Sequence, residues 1–106
     1  MLDNGIKFDE RYDSEDYGTT TLYFIAPKEM LKEFIPTKYY PEAISMEISI
    51  EFPTNHIEAS YANVCVSPTR DDENGTEDYE WHDVNIPHDE IEELIKLEKQ
   101  VIMKKN

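Results

Sequence analysis

The sequence predicts an α+β fold: an antiparallel sheet of about four to five strands, with a short helix and a C-terminal helix packed on one face. Three observations predict it. Residues 44–52 alternate apolar and polar without a break. Residues 91–102 carry apolar side chains at helical spacing. Asn74-Gly75 stands between two strand-like stretches as a hairpin signal. The predicted order is β-β-α-β-β-β-α.

Each element has its own reason. Ile6 and Phe8 alternate with polar neighbours, which predicts a strand over residues 6–12. Asp13 to Gly18 is polar and reads as a turn. Thr19 to Ala26 is rich in β-branched and aromatic residues and reads as a buried strand. Pro27 suits the start of a short helix through Met30, Leu31 and Phe34 to Pro36, because its missing N–H would have no partner there. Tyr39, Tyr40 and Pro41 read as a loop.

The clearest strand runs from Ala43 to Phe52. Ile44, Met46, Ile48, Ile50 and Phe52 point one way, and Ser45, Glu47, Ser49 and Glu51 the other. Period two over this length predicts a sheet with one wet face. Pro53-Thr54-Asn55 turns the chain. Glu58 to Ser67 is the next expected strand, with Val64 and Val66 on one face and Tyr61 and Cys65 on the other. Asn74-Gly75 then joins a strand ending near Asp72 to one from Thr76 to Ile86. The latter places Tyr79, Trp81 and Asp83 on one face and Glu80, His82, Val84 and Ile86 on the other.

The final helix is expected from His88 to Lys104. Asp89, Glu90, Glu92 and Glu93 lie near its positive end, and Lys104 and Lys105 near its negative end. Ile91, Leu94, Ile95, Val101 and Ile102 form the apolar stripe.

A chain of 106 residues bounds the organisation to one domain, residues 1–106. Seven Tyr, four Phe and one Trp suffice for a modest core. The single cysteine, Cys65, excludes an internal disulfide and reads as a buried small hydrophobe in a reducing compartment. The N-terminus Met1-Leu2-Asp3-Asn4-Gly5 has neither a basic region nor an apolar run. The longest apolar run, Leu22 to Ala26, is far short of the roughly 20 residues of a membrane span. The expectation is a cytoplasmic protein with no membrane contact.

Charge is the strongest functional signal. The formal net charge is −14. Between Asp71 and Glu93 there are eleven acidic residues and no Lys or Arg. So dense a field attracts cationic surfaces and repels nucleic acid and anionic membranes. Trp and Tyr interleaved with bases would suggest nucleic-acid binding; here Tyr79 and Trp81 are interleaved with acids.

Catalytic and metal motifs fare poorly. The acidic stretch from Asp71 has Gly75 fifth and His82 twelfth, which fails the spacing of a calcium loop. His56, His82 and His88 form no i, i+4 pair for zinc. Three glycines cannot build a phosphate-cradling loop, and Ser60, Ser67 and Thr69 have no nucleophile-elbow context. The reading is therefore non-enzymatic, with no metal and no cofactor.

The expected function is that of a small acidic inhibitor. It would occupy the basic groove of a nuclease or other DNA- or RNA-binding protein as a nucleic-acid mimic, of the anti-defence type used by phages and mobile elements. The expected partner-binding residues are Asp71, Asp72, Glu73, Glu77, Asp78, Tyr79, Glu80, Trp81 and Asp83. Two alternatives share the sequence features: an immunity protein or antitoxin neutralising a basic toxin, and a self-associating accessory module that uses its sheet edge or Trp81. Trp81 itself reads either as core or as an interface anchor.

Overall fold

The computed structural model describes residues 5–35, 42–72, 75–78 and 80–105, and at 71, 72, 75–78 and 102–105 the backbone alone. Among the described residues six strands form one antiparallel sheet. They are β1 (Lys7–Ser14), β2 (Thr19–Pro27), β3 (Ser45–Pro53), β4 (Asn63–Asp72), β5 (Gly75–Asp78) and β6 (His82–Val84). The spatial order is β1-β2-β3-β4-β5, and β6 pairs with β4 beside β5. The sheet thus has five columns, the last made of two short segments. A C-terminal helix, α1 (His88–Lys105), and 3-10 turns at Lys28–Glu33 and Ala59–Tyr61 complete the α+β fold in the predicted order.

The alternating pattern sets the two faces. On the inner face, Phe24, Ile48 and Val66 form one row across β2, β3 and β4, and Leu22, Ile50 and Val64 the next. All six are buried. Phe8 joins them from β1 by meeting Phe24 edge to face, with ring centroids 5.7 Å apart. Ile91, Leu94 and Ile95 of α1 close the core over this face, with Met30, Leu31 and Ile35 from the first 3-10 turn and its exit. The second layer is therefore confined to one side of the sheet.

Local chemistry explains the connections. Ser14 pairs with Thr19, and the turn between them ends on Gly18 at φ 63°, a conformation that suits glycine. The Gly18 carbonyl accepts the Thr54 N–H at 2.9 Å, tying this turn to the end of β3. In β1 the register shifts between Phe8 and Glu10, which leaves Asp9 as an extra residue. That bulge lets Phe8 face inward and Glu10 outward.

Several boundaries differ from expectation. The first helix is a six-residue 3-10 segment, entered through Pro27 at φ −60°, with no side-chain cap. A segment this short gains little from α geometry. Ile44 lies outside β3 and is 46% exposed, while Ala43 is buried in its stead. The expected strand from Glu58 begins only at Asn63, because Ala59–Tyr61 forms a 3-10 turn with Ala59 buried. β4 then runs on to Asp72 in one piece.

The expected long strand from Thr76 to Ile86 is two strands. β5 pairs with Thr69 to Asp72, and β6 with Val64 to Val66. The break falls opposite Ser67 and Pro68, and Pro68 has no N–H to offer a neighbouring strand. Asp72 pairs with Gly75, so Gly75 opens β5 rather than closing the turn. Asn74 lies outside the described residues, as do Tyr39, Tyr40 and Pro41.

Candidate functional site

Among the described residues no helix lies on the outer face of the sheet, and the composition of that face is one-sided. Register fixes a row that crosses five columns: Glu10 on β1, Tyr23 on β2, Ser49 on β3, Cys65 on β4 and Asp83 on β6. Four interstrand steps make this row about 19 Å long. Lys7, Ile25, Glu47 and Ser67 form the row beside it. Tyr12, Thr21, Glu51 and Asn63 form the row on the other side. In these three rows four carboxylates stand against one ammonium, that of Lys7.

Side-chain size gives this face its relief. Ser49 and Cys65 are small and stand between Tyr23 and Trp81. The result is an open depression of about 460 Å³ lined by Glu10, Tyr23, Glu47, Ser49, Cys65 and Trp81. Trp81 is 38% exposed and Tyr12 60% exposed, so two large aromatics of this face meet solvent.

The Cys65 thiol responds to burial first and to the nearby carboxylates second. Its Sγ–H donates to Asp83 Oδ1 at 3.1 Å. Partial burial, the hydrogen bond to Asp83, and the charges of Asp83 and Glu51 push the thiol up to about 11 from 9.0. Two carboxylates therefore act in the same sense on one group in the floor of the depression. Cys65 is half-buried on the outer face, not a core hydrophobe, and a protonated thiol is a poor nucleophile.

A second, smaller groove of about 230 Å³ lies between α1 and the segment before β4. It is lined by Ile57, Ala59 and Ile95, with Glu58, Glu92, Lys96 and Lys99 around them. Both charge signs are present there, so it has no polarity of its own.

Of the residues expected to bind a partner, the described side chains are Glu80, Trp81 and Asp83. Trp81 and Asp83 meet on the outer face through the depression and Cys65, and Glu80 is exposed. Glu73 and Tyr79 lie outside the described residues. Asp71 and Asp72 belong to the end of β4, and Glu77 and Asp78 to β5, as backbone positions. The sequence reading did not single out Glu10, Tyr23 or Ser49. The signal that could have found them is strand alternation, which had already turned Glu47, Ser49 and Glu51 away from the core.

Among the described residues no group of three or more His, Cys, Asp or Glu side chains converges as metal ligands would. His56 stacks on Tyr61 with centroids 4.5 Å apart, and His88 is exposed at the start of α1. No described helix is long and apolar enough to cross a membrane. Compared with protein-family models, curated proteins and solved structures, the chain matches none.

Proposed function

We propose that this chain is a non-enzymatic acidic binding protein. It docks on the basic groove of a nuclease or another DNA- or RNA-binding protein and blocks it, as a nucleic-acid mimic of the anti-defence type. The observation that carries the reading is the outer sheet face, where three described rows set four carboxylates against one ammonium, with Tyr12 and Trp81 exposed among them. Aromatic anchors amid like charges are what a desolvated, oriented contact with a cationic surface requires. The total charge of −14 adds long-range steering toward such a surface. An immunity protein or antitoxin would use the same face against a basic toxin, and the partner's identity separates the two.

The experiment is capture from bacterial lysate at low salt, followed by competition. The expected partner is a basic nucleic-acid-binding protein that duplex DNA or RNA displaces from the chain. Binding should collapse at about 1 M salt, where the screening length is roughly 3 Å. A partner that is acidic, indifferent to salt and not displaced by nucleic acid would overturn the proposal.

A further inference from the structure

We propose that the outer-face depression receives one arginine side chain from the partner protein, an inference that rests on the docking function above. The occupant follows from shape and charge together. Its lining combines two aromatic residues, Tyr23 and Trp81, with two acidic ones, Glu10 and Glu47. Aromatic faces and carboxylates side by side favour a flat cation over a compact one. A guanidinium stacks on an indole or phenol ring while its edge donates in a fork to a carboxylate. An ammonium has neither the plane nor the fork.

The floor fits the same occupant. Ser49 and Cys65 leave space where a larger residue would fill the sheet surface, so a long side chain can lie along it. A carboxylate also reaches that floor, where Asp83 Oδ1 accepts from the Cys65 thiol at 3.1 Å. Each carboxylate offers about four acceptor positions, so contacts made within the protein leave room for a guanidinium. The groove beside α1 does not compete, because it is rimmed by Lys96 and Lys99 as well as by acids.

The direct measurement is an NMR titration of the whole chain with N-acetyl-arginine amide, with the lysine and citrulline amides as controls. Citrulline keeps the shape of arginine and removes its charge. Binding in the millimolar range is expected for arginine, with the largest shifts at the Trp81 indole N–H and at the Ser49 and Cys65 amides. Lysine should bind more weakly and citrulline not at all. Glu10→Gln should weaken arginine roughly twofold to fivefold, the scale of one exposed ion pair. Ser49→Leu, which fills the depression, should abolish the localised shifts while its amide spectrum stays dispersed.

Shifts spread over the whole acidic surface, or lysine equal to arginine, would overturn the arginine assignment. So would unchanged binding in Ser49→Leu. If that happened while the captured partner still bound in a salt-dependent way, the docking function would stand and only this assignment would fall. Salt-independent partner binding would remove both.

Discussion

Arg11 on β1 reaches Glu98 on α1, with Nη1 3.6 Å from Oε1, and so joins the edge of the sheet to the helix beneath it. The same guanidinium contacts Asp13 through Nε at 3.3 Å. Glu98 is 2% exposed, and its second oxygen, Oε2, is buried without a hydrogen-bond partner. A buried carboxylate depends on its counter-charge, because the desolvation cost remains when the partner is removed. Arg11→Ala should therefore destabilise the chain by about 2 kcal/mol, below the range for fully buried pairs because Arg11 also meets solvent. Arg11→Met combined with Glu98→Leu should recover most of that loss. Urea unfolding with an unchanged m-value checks both.

The two faces of β3 should respond differently to truncation. Ile48 is fully buried, and Glu51, three residues on, is exposed. Ile48→Ala should cost roughly 2–5 kcal/mol, as large-to-small core changes do. Glu51→Ala should stay within about 0.5 kcal/mol. Comparable midpoint shifts in the two variants would show that the faces are wrongly assigned.

The Cys65 thiol makes a pH prediction. Its raised pKa means that the folded chain holds this proton more tightly than the unfolded chain. Its contribution to stability is present below pH 9.0 and is lost as the pH rises toward about 11. Asp83→Asn removes both the charge and a strong acceptor, so the thiol should titrate lower. Thiolate absorbance against pH and the rate of disulfide exchange with an aromatic reagent both read the change, and the variant should react faster at mildly alkaline pH.

Asp13 shifts in the opposite direction. The Thr20 hydroxyl donates to its Oδ1 at 2.6 Å. That bond, then the nearby Arg11, holds the carboxyl below its ordinary 3.8 against an opposing effect of burial. The folded state here prefers the deprotonated form. Its contribution is present above pH 3.8 and is lost as the pH falls through the folded value. Thr20→Val should move the Asp13 carboxyl resonance to titrate at higher pH.

Charge reversal can locate the contact surface kinetically. Glu10→Lys with Glu51→Lys alters the outer face; Glu77→Lys with Asp78→Lys alters the acidic run by the same total charge. Long-range attraction depends on the sum, so both pairs should slow association alike. Only the pair that touches the partner should also speed dissociation. Outer-face docking predicts faster dissociation for the first pair alone, and the reverse pattern would move the interface to β5.

The fold was legible where one period dominated. Met46 to Phe52 alternates because β3 lies in the middle of the sheet with one face on the core, and that arrangement writes period two directly into sequence. Ser67-Pro68-Thr69 misleads for the opposite reason: three residues typical of turns are buried inside β4. Glu98 occupies a position of the α1 stripe between Ile95 and Val101, and its acidity there is a visible anomaly. Its partner Arg11 is not visible, since only the tertiary fold brings β1 to α1. The outer-face site was half legible. Alternation turns Glu47, Ser49 and Glu51 outward, but only strand order sets Glu10 and Tyr23 on one side of them and Cys65 and Asp83 on the other.

Trp81 is the chain's only tryptophan, and it sits on the outer face while the core is built from Phe24, Phe52 and aliphatic side chains. Its fluorescence therefore reports on the outer face first. Loss of the fold should shift its emission to the red, since the indole is only 38% exposed in the native chain. A partner covering the outer face should move its emission to the blue and shield it from a dissolved quencher. One native chromophore then serves as a label for the contact surface, with binding and unfolding moving its emission in opposite directions.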